Sequence, residues 1–170
     1  MTNTTLYTSE YFLIEGGKPL RGTVSISGSK NASLPIIIAS LLTDQECRIK
    51  RVPKLLDVET TVHLLTHLGA SVEREGDLVK VDPSGVCRQD APDEIVRKMR
   101  ASVLVMGPLL ARFGRALVSM PGGCAIGVRS IDQHLKVFER AGASIRVKHG
   151  YLDMELKKIK PVEYTFEVIT

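Results

Sequence analysis

Tryptophan is absent from this chain of 170 residues, and aromatic residues make up only 5% of it. The basic residues fall in short separate clusters: Arg48, Lys50, Arg51 and Lys54; Arg97, Lys98 and Arg100; Lys157, Lys158 and Lys160. No aromatics interleave with them to stack bases, so composition disfavours nucleic acid as a partner. A net charge of +4 suits a small anionic ligand better. Cysteine is sparse and odd in number (Cys47, Cys87 and Cys124), and the spacing fits neither a zinc site nor a disulfide framework. Reduced thiols and a cytoplasmic location are expected. The first ten residues are polar, without the apolar core of a signal peptide. The longest apolar run, residues 34–42, is too short to span a bilayer, so no membrane partner is expected.

What is present is a glycine-rich loop, Pro121-Gly122-Gly123-Cys124-Ala125-Ile126-Gly127-Val128-Arg129. Glycines let backbone N–H groups approach an anion, and a guanidinium can pair with it. A nearby cation also lowers a thiol's pKa. The loop is therefore a candidate site for a reactive Cys124 beside a phosphate or carboxylate held by Arg129. The plain alternative is a tight turn with a buried, inert cysteine.

Periodicity places the elements. Strands are expected at residues 12–14 and 23–27, then a helix over 32–42 opened by Gly28-Ser29-Lys30-Asn31, with Pro35 in its first turn. A strand over 46–52 follows, then a helix capped by Asp57 and stopped by Gly69, then a hairpin around Gly76-Asp77. In the second half, a helix runs from Pro92-Asp93 towards Arg112 and bends near Gly107-Pro108. Next come a strand over 116–120, the cysteine loop, a helix from Asp132 to Gly142, a hairpin turning at His149-Gly150, and a strand through Tyr164, Phe166 and Val168.

This order repeats. Ala32-Ser33-Leu34 recurs as Ala101-Ser102-Val103, and Gly69-Ala70-Ser71-Val72 as Gly142-Ala143-Ser144-Ile145, about 70 residues apart. The chain thus reads as a duplicated α/β (α+β) unit. The first register sets Lys30-Asn31 opposite Met99-Arg100. Lys30 sits at a helix N-terminus, where free N–H groups favour anions, while Arg100 is expected inside its helix and acting through its side chain. Each has a bland alternative, a solvated charge for Lys30 and a salt bridge to Asp93 or Glu94 for Arg100. With Cys124 and Arg129 they form a candidate anion pocket.

Two apparent motifs fail. Gly28-Ser29-Lys30 is not a P-loop, because Ser29 intervenes before the lysine and Asn31 follows it. His63 and His67 are four residues apart on a helix, but no third ligand accompanies them, and they are read as a solvated face.

Four segments in order carry a resemblance: Gly28-Ser29-Lys30-Asn31-Ala32-Ser33-Leu34-Pro35, Val52-Pro53-Lys54-Leu55-Leu56-Asp57-Val58, Met99-Arg100-Ala101-Ser102 and Pro121-Gly122-Gly123-Cys124-Ala125-Ile126-Gly127. From residue 12 to at least 151 the chain resembles the UDP-N-acetylglucosamine 1-carboxyvinyltransferases, which open bacterial peptidoglycan synthesis. The resemblance implies the enolpyruvyl transferase fold, an inside-out α/β barrel of βαβαββ units. Residues 1–22 would be an N-terminal segment whose strand belongs to the other domain. Residues 23–85 and 86–157 would be the first two units, and 158–170 the start of a truncated third.

The implied reaction moves the enolpyruvyl group of phosphoenolpyruvate to the 3-hydroxyl of UDP-N-acetylglucosamine and releases phosphate, with no cofactor and no metal. Lys30, Asn31 and Arg129 would hold phosphoenolpyruvate. Asn31, Arg100 and the segment Ser130-Ile131-Asp132-Gln133 would hold the UDP-sugar. Cys124 would be the catalytic thiol, alkylated by fosfomycin, on a loop acting as a lid. The family commonly has proline where Ser130 stands, which puts the local stiffness of that segment in question. The resemblance puts a catalytic aspartate and further arginines in portions with no counterpart here, so the chain alone is expected to be nearly inactive. Two rivals remain: a non-catalytic fragment or nucleotide-sugar-binding module, with open strand edges inviting self-association, and a 5-enolpyruvylshikimate-3-phosphate synthase-like enzyme, disfavoured by the loop thiol.

Overall fold

The structure is a computed structural model and describes residues 11–120 and 130–166. Its elements in chain order are α1 (Lys30–Ala39), β1 (Cys47–Ile49), α2 (Leu56–Leu68), β2 (Ser71–Glu75), β3 (Leu78–Asp82), β4 (Asp90–Ala91), α3 (Asp93–Val96), α4 (Met106–Phe113), β5 (Arg115–Ser119), α5 (Asp132–Arg140), β6 (Ser144–Lys148) and β7 (Tyr151–Glu155). Short 3₁₀ segments, Ser40–Leu42 and Arg100–Val105, extend α1 and precede α4.

The two halves build matching sheets. The first has strand order β1-β3-β2 and the second β4-β5-β7-β6. In each, an antiparallel hairpin (β2–β3 or β6–β7) pairs through its second strand with the strand that follows the first helices (β1 or β5). The second sheet also carries β4, parallel to β5 through a helical crossover, which completes β-α-β-α-β-β. The fold is mixed α/β with two sheets, as the repeat implies.

α2 shows why the sequence folds this way. Leu64, Leu65 and Leu68 are fully buried on one face, each contributing about 1.5–3 kcal/mol of apolar burial. Gly69 stops the helix at φ 107, a conformation L side chains resist, and its N–H bonds back into the last turn. The chain then enters β2, where Val72 packs against the core and Ser71, Glu73 and Glu75 face water. α1 packs on α2, α4 packs on β5, and one apolar core joins Ile37, Ile38 and Leu41 to Leu109, Val118 and Met154. Arg112 fastens the halves by donating to the carbonyls of Leu41 and Pro83, each at 3.2 Å.

Several expectations fail, each for a local reason. Residues 12–14 and 23–27 form no strand. Phe12 is 95% exposed, Val24 81% and Ile26 75%. The Ile26 carbonyl is taken by the Arg51 guanidinium at 2.9 Å instead of by a strand amide. Among the described residues, no strand pairs with β1 on the edge where β5 has β4. Tyr164 and Phe166 also lie outside any strand; Val168 is outside the described residues. α1 begins at Lys30, two residues earlier than expected, so Pro35 falls in its second turn. Asp57 lies in the first turn of α2 rather than capping it; Leu55 occupies the cap without a side-chain bond. The long helix from residue 93 breaks at 97–99, not at Gly107-Pro108. Met99 is extended and buried, its sulfur accepting from Thr61 Oγ1 at 3.5 Å, and Pro108 fits the first turn of α4, where no N–H is needed.

Candidate functional site

Because the helix breaks before Arg100, two helical segments begin at the same place. Lys30 is the first residue of α1, capped by Ser29, whose Oγ accepts from Ala32 N at 3.4 Å. Arg100 is the first residue of its 3₁₀ segment. The expectation that Arg100 lies inside a helix is thus corrected. Between these starts opens a cavity of about 430 Å³, with Lys30, Asn31, Asp57, Arg100, Ile131 and His134 in its lining. Buried Leu34, Met99 and Val103 supply apolar parts of the same lining.

Lys98 also lines the cavity, and Lys30 and Arg100 are held differently. Lys30 Nζ lies 2.9 Å from Asp57 Oδ2, with the two side chains 47% and 34% exposed. The pair is therefore open to water, and an anion can compete for the ammonium. Arg100 Nη2 donates to the Ser130 carbonyl at 2.8 Å. It does not pair with Asp93; Arg97 does. The bond ties the helix start to the residue that follows the cysteine loop.

The segment Ser130-Ile131-Asp132-Gln133 is fixed by its own polar groups. The Asp132 N–H donates to Ser130 Oγ at 3.1 Å, so the serine hydroxyl supplies restraint at this position. Gln133 Nε2 donates to Asp132 Oδ2 at 3.1 Å. The Asp132 carboxyl is held below its ordinary range, chiefly by its bond to the Ser130 hydroxyl, with Gln133 adding to the effect. Ile131 is buried and anchors the start of α5.

The structure thus gathers Lys30, Asn31, Arg100 and Ile131 in one cavity, with Ser130, Asp132 and Gln133 beside it. Cys124 and Arg129 lie outside the described residues. Sequence reasoning missed Asp57 as the partner of Lys30, His134 in the lining, and a bond from Tyr164 to Gln133. Each joins residues far apart in sequence, where spacing carries no signal. His67 was also misread: its Nε2 lies 2.9 Å from Asp90 Oδ2, and Arg88 binds the same carboxylate at 3.0 Å, so it links the two halves rather than facing water. A separate opening of about 380 Å³ at the β4 edge, lined by Asp90, Arg115 and Tyr151, holds none of the predicted residues. Among the described residues, no group of three or more His, Cys, Asp or Glu is placed to hold a metal ion, and no helix is long and apolar enough to cross a membrane.

A family profile described as EPSP synthase (3-phosphoshikimate 1-carboxyvinyltransferase) matches residues 14–170. The chain belongs to the EPSP synthase family. Within the family it is similar to curated proteins named UDP-N-acetylglucosamine 1-carboxyvinyltransferase. That of Sorangium cellulosum is 54% identical over 157 residues, covering 92% of this chain and 37% of the relative. That of Geotalea uraniireducens is 52% identical over 158 residues, covering 93% and 38%. The chain therefore spans less than two-fifths of the length of these relatives. The crystal structure of the enolpyruvyl transferase NikO from Streptomyces tendae superimposes with a TM-score of 0.71 at 25% identity, over 86% of this chain and 32% of NikO. The duplicated α/β architecture is thus that of an enolpyruvyl transferase.

Proposed function

We propose that this chain supplies the substrate-binding half-site of an enolpyruvyl transferase that joins phosphoenolpyruvate to the 3-hydroxyl of UDP-N-acetylglucosamine and releases phosphate, the entry step of peptidoglycan synthesis in the cytoplasm. The observation that carries the reading is the cavity where two helical segments start, with Lys30, Asn31 and Arg100 in its lining. The names of the relatives, at 54% and 52% identity, support the nucleotide sugar as acceptor in preference to shikimate 3-phosphate.

In this reading Lys30 leaves Asp57 to bind the phosphate of phosphoenolpyruvate, helped by the free N–H groups at the start of α1. Asn31 touches both substrates. Arg129 completes the phosphoenolpyruvate site. Arg100 and residues 130–133 take the UDP-sugar. Cys124 adds to phosphoenolpyruvate and is the target of fosfomycin. The C–O bond to phosphate breaks with its electron pair on the departing phosphate, so cations placed around that group act by positioning and electrostatics.

The test is a calorimetric competition between UDP-N-acetylglucosamine and shikimate 3-phosphate. The reading predicts that the nucleotide sugar binds and shikimate 3-phosphate does not displace it. Preference for shikimate 3-phosphate would transfer the chain to the other branch of the family. Binding of neither, with the fold intact, would leave a non-catalytic module.

A further inference from the structure

The hydrogen bonds around the start of α5 form a path that does not end at the cavity. Arg100 Nη2 donates to the Ser130 carbonyl at 2.8 Å, Asp132 N to Ser130 Oγ at 3.1 Å, and Gln133 Nε2 to Asp132 Oδ2 at 3.1 Å. The path continues to Tyr164, whose hydroxyl lies 2.7 Å from Gln133 Oε1. Tyr164 is 31 residues further along and belongs to the stretch after β7 that returns across α5, where Lys160 N bonds the Ala141 carbonyl at 2.9 Å.

The chemistry fixes the direction of every bond. An ionised carboxylate only accepts, so Gln133 must turn its NH₂ towards Asp132. Its oxygen then faces Tyr164, and the phenol must donate. With an apolar ring edge in that place, the amide would lose the bond that favours this orientation. The ring itself is held independently: the Arg140 guanidinium stacks 4.9 Å from its centroid, and Phe166 meets it edge-on at 5.3 Å.

We propose that Tyr164 is a positioning residue for nucleotide-sugar binding: its hydroxyl locks the Gln133 amide, and through Asp132 and Ser130 it sets the wall of the cavity that Arg100 meets. The depressed Asp132 carboxyl agrees with this, since the ionised form only accepts and so sets which end of the Gln133 amide faces it. The inference rests on the reading that residues 130–133 contact the UDP-sugar.

The experiment compares the unaltered chain with Tyr164→Phe, which keeps the ring and its packing. Two readouts are needed. In the ligand-free chain, the Gln133 side-chain NH₂ is followed by NMR for hydrogen exchange, and the Asp132 carboxyl is titrated. The substitution should speed the exchange and move the Asp132 titration upwards while leaving the melting temperature nearly unchanged. In titrations with UDP-N-acetylglucosamine, it should weaken affinity about fivefold, in line with the net worth of one neutral hydrogen bond. Gln133→Leu should weaken binding too, and adding Tyr164→Phe to it should cost nothing further. Unchanged Gln133 exchange overturns the proposal, as do additive losses in the double variant. If the unaltered chain fails to bind the nucleotide sugar, the underlying reading fails, and the ligand-free NMR still decides whether Tyr164 holds Gln133.

Discussion

Replacing Lys30 with methionine separates a structural from a binding role. The ammonium lies 2.9 Å from Asp57, but the two side chains are 47% and 34% exposed. Exposed pairs of this kind contribute about 0–1 kcal/mol, so Lys30→Met should change the unfolding free energy by less than about 1 kcal/mol. Binding is another matter. A charge-assisted hydrogen bond contributes about 1.5–3 kcal/mol. At roughly 1.4 kcal/mol per decade, phosphoenolpyruvate affinity should fall by about 10- to 150-fold. Urea unfolding gives the first quantity, and calorimetry with saturating UDP-N-acetylglucosamine gives the second. Binding in the unaltered chain should weaken as salt rises, because the site is open to water. A stability loss above about 2 kcal/mol with affinity intact would show that Lys30 serves Asp57 and not a ligand, and the assignment of the cavity to an anion would fall.

Two further predictions concern the frame. A β-carbon on Gly69 would lie 2.6 Å from the Gly85 carbonyl oxygen, at φ 107, whereas on Gly142 it would lie 3.2 Å from the Lys158 oxygen at φ 103. Gly69→Ala should therefore cost about 2–4 kcal/mol and Gly142→Ala about 1–2, measured by denaturant midpoint; equal losses would contradict the geometry. Burial opposes ionisation of Asp90, but its bonds to Arg88 and His67 outweigh this and hold its carboxyl below the ordinary value. The stabilisation is present above the unfolded value near 3.8 and is lost as pH falls through the lower folded value. Asp90→Asn should flatten the acid limb of the stability curve below about pH 4; an unchanged limb would remove Asp90 from the link between the halves.

The elements legible in sequence are those whose cause is local. Leu64, Leu65 and Leu68 share a helical face, Gly69 must end it, and His149-Gly150 can turn a hairpin with both residues at positive φ. The duplication was legible because both halves keep these signals in one order. What was missed depends on distant partners. Val24 and Ile26 alternate like a strand, yet β1 gives them no ladder, and Arg51 takes the Ile26 carbonyl. The break at 97–99 contains neither glycine nor proline; it arises because Met99 is drawn into the core beside Thr61. That same break brings Arg100 to a helix start, in register with Asn31 in the first half. Of the candidate site, Lys30, Asn31 and Arg100 were legible by residue type and repeat register and line one cavity, while the way Arg100 reaches it was not legible. Asp57 was legible as a carboxylate near a helix start, but only the packing of α1 on α2 makes it the partner of Lys30.

The alkylation rate of each cysteine at neutral pH, with and without UDP-N-acetylglucosamine, tests the central proposal most directly. Cys87 is exposed and Cys47 half-buried, so the two serve as internal references. A half-site for enolpyruvyl transfer predicts that Cys124 reacts several-fold faster than Cys87 and that the nucleotide sugar changes its rate alone. If Cys124 reacts no faster than Cys87 and ignores the ligand, the chain does not hold such a site.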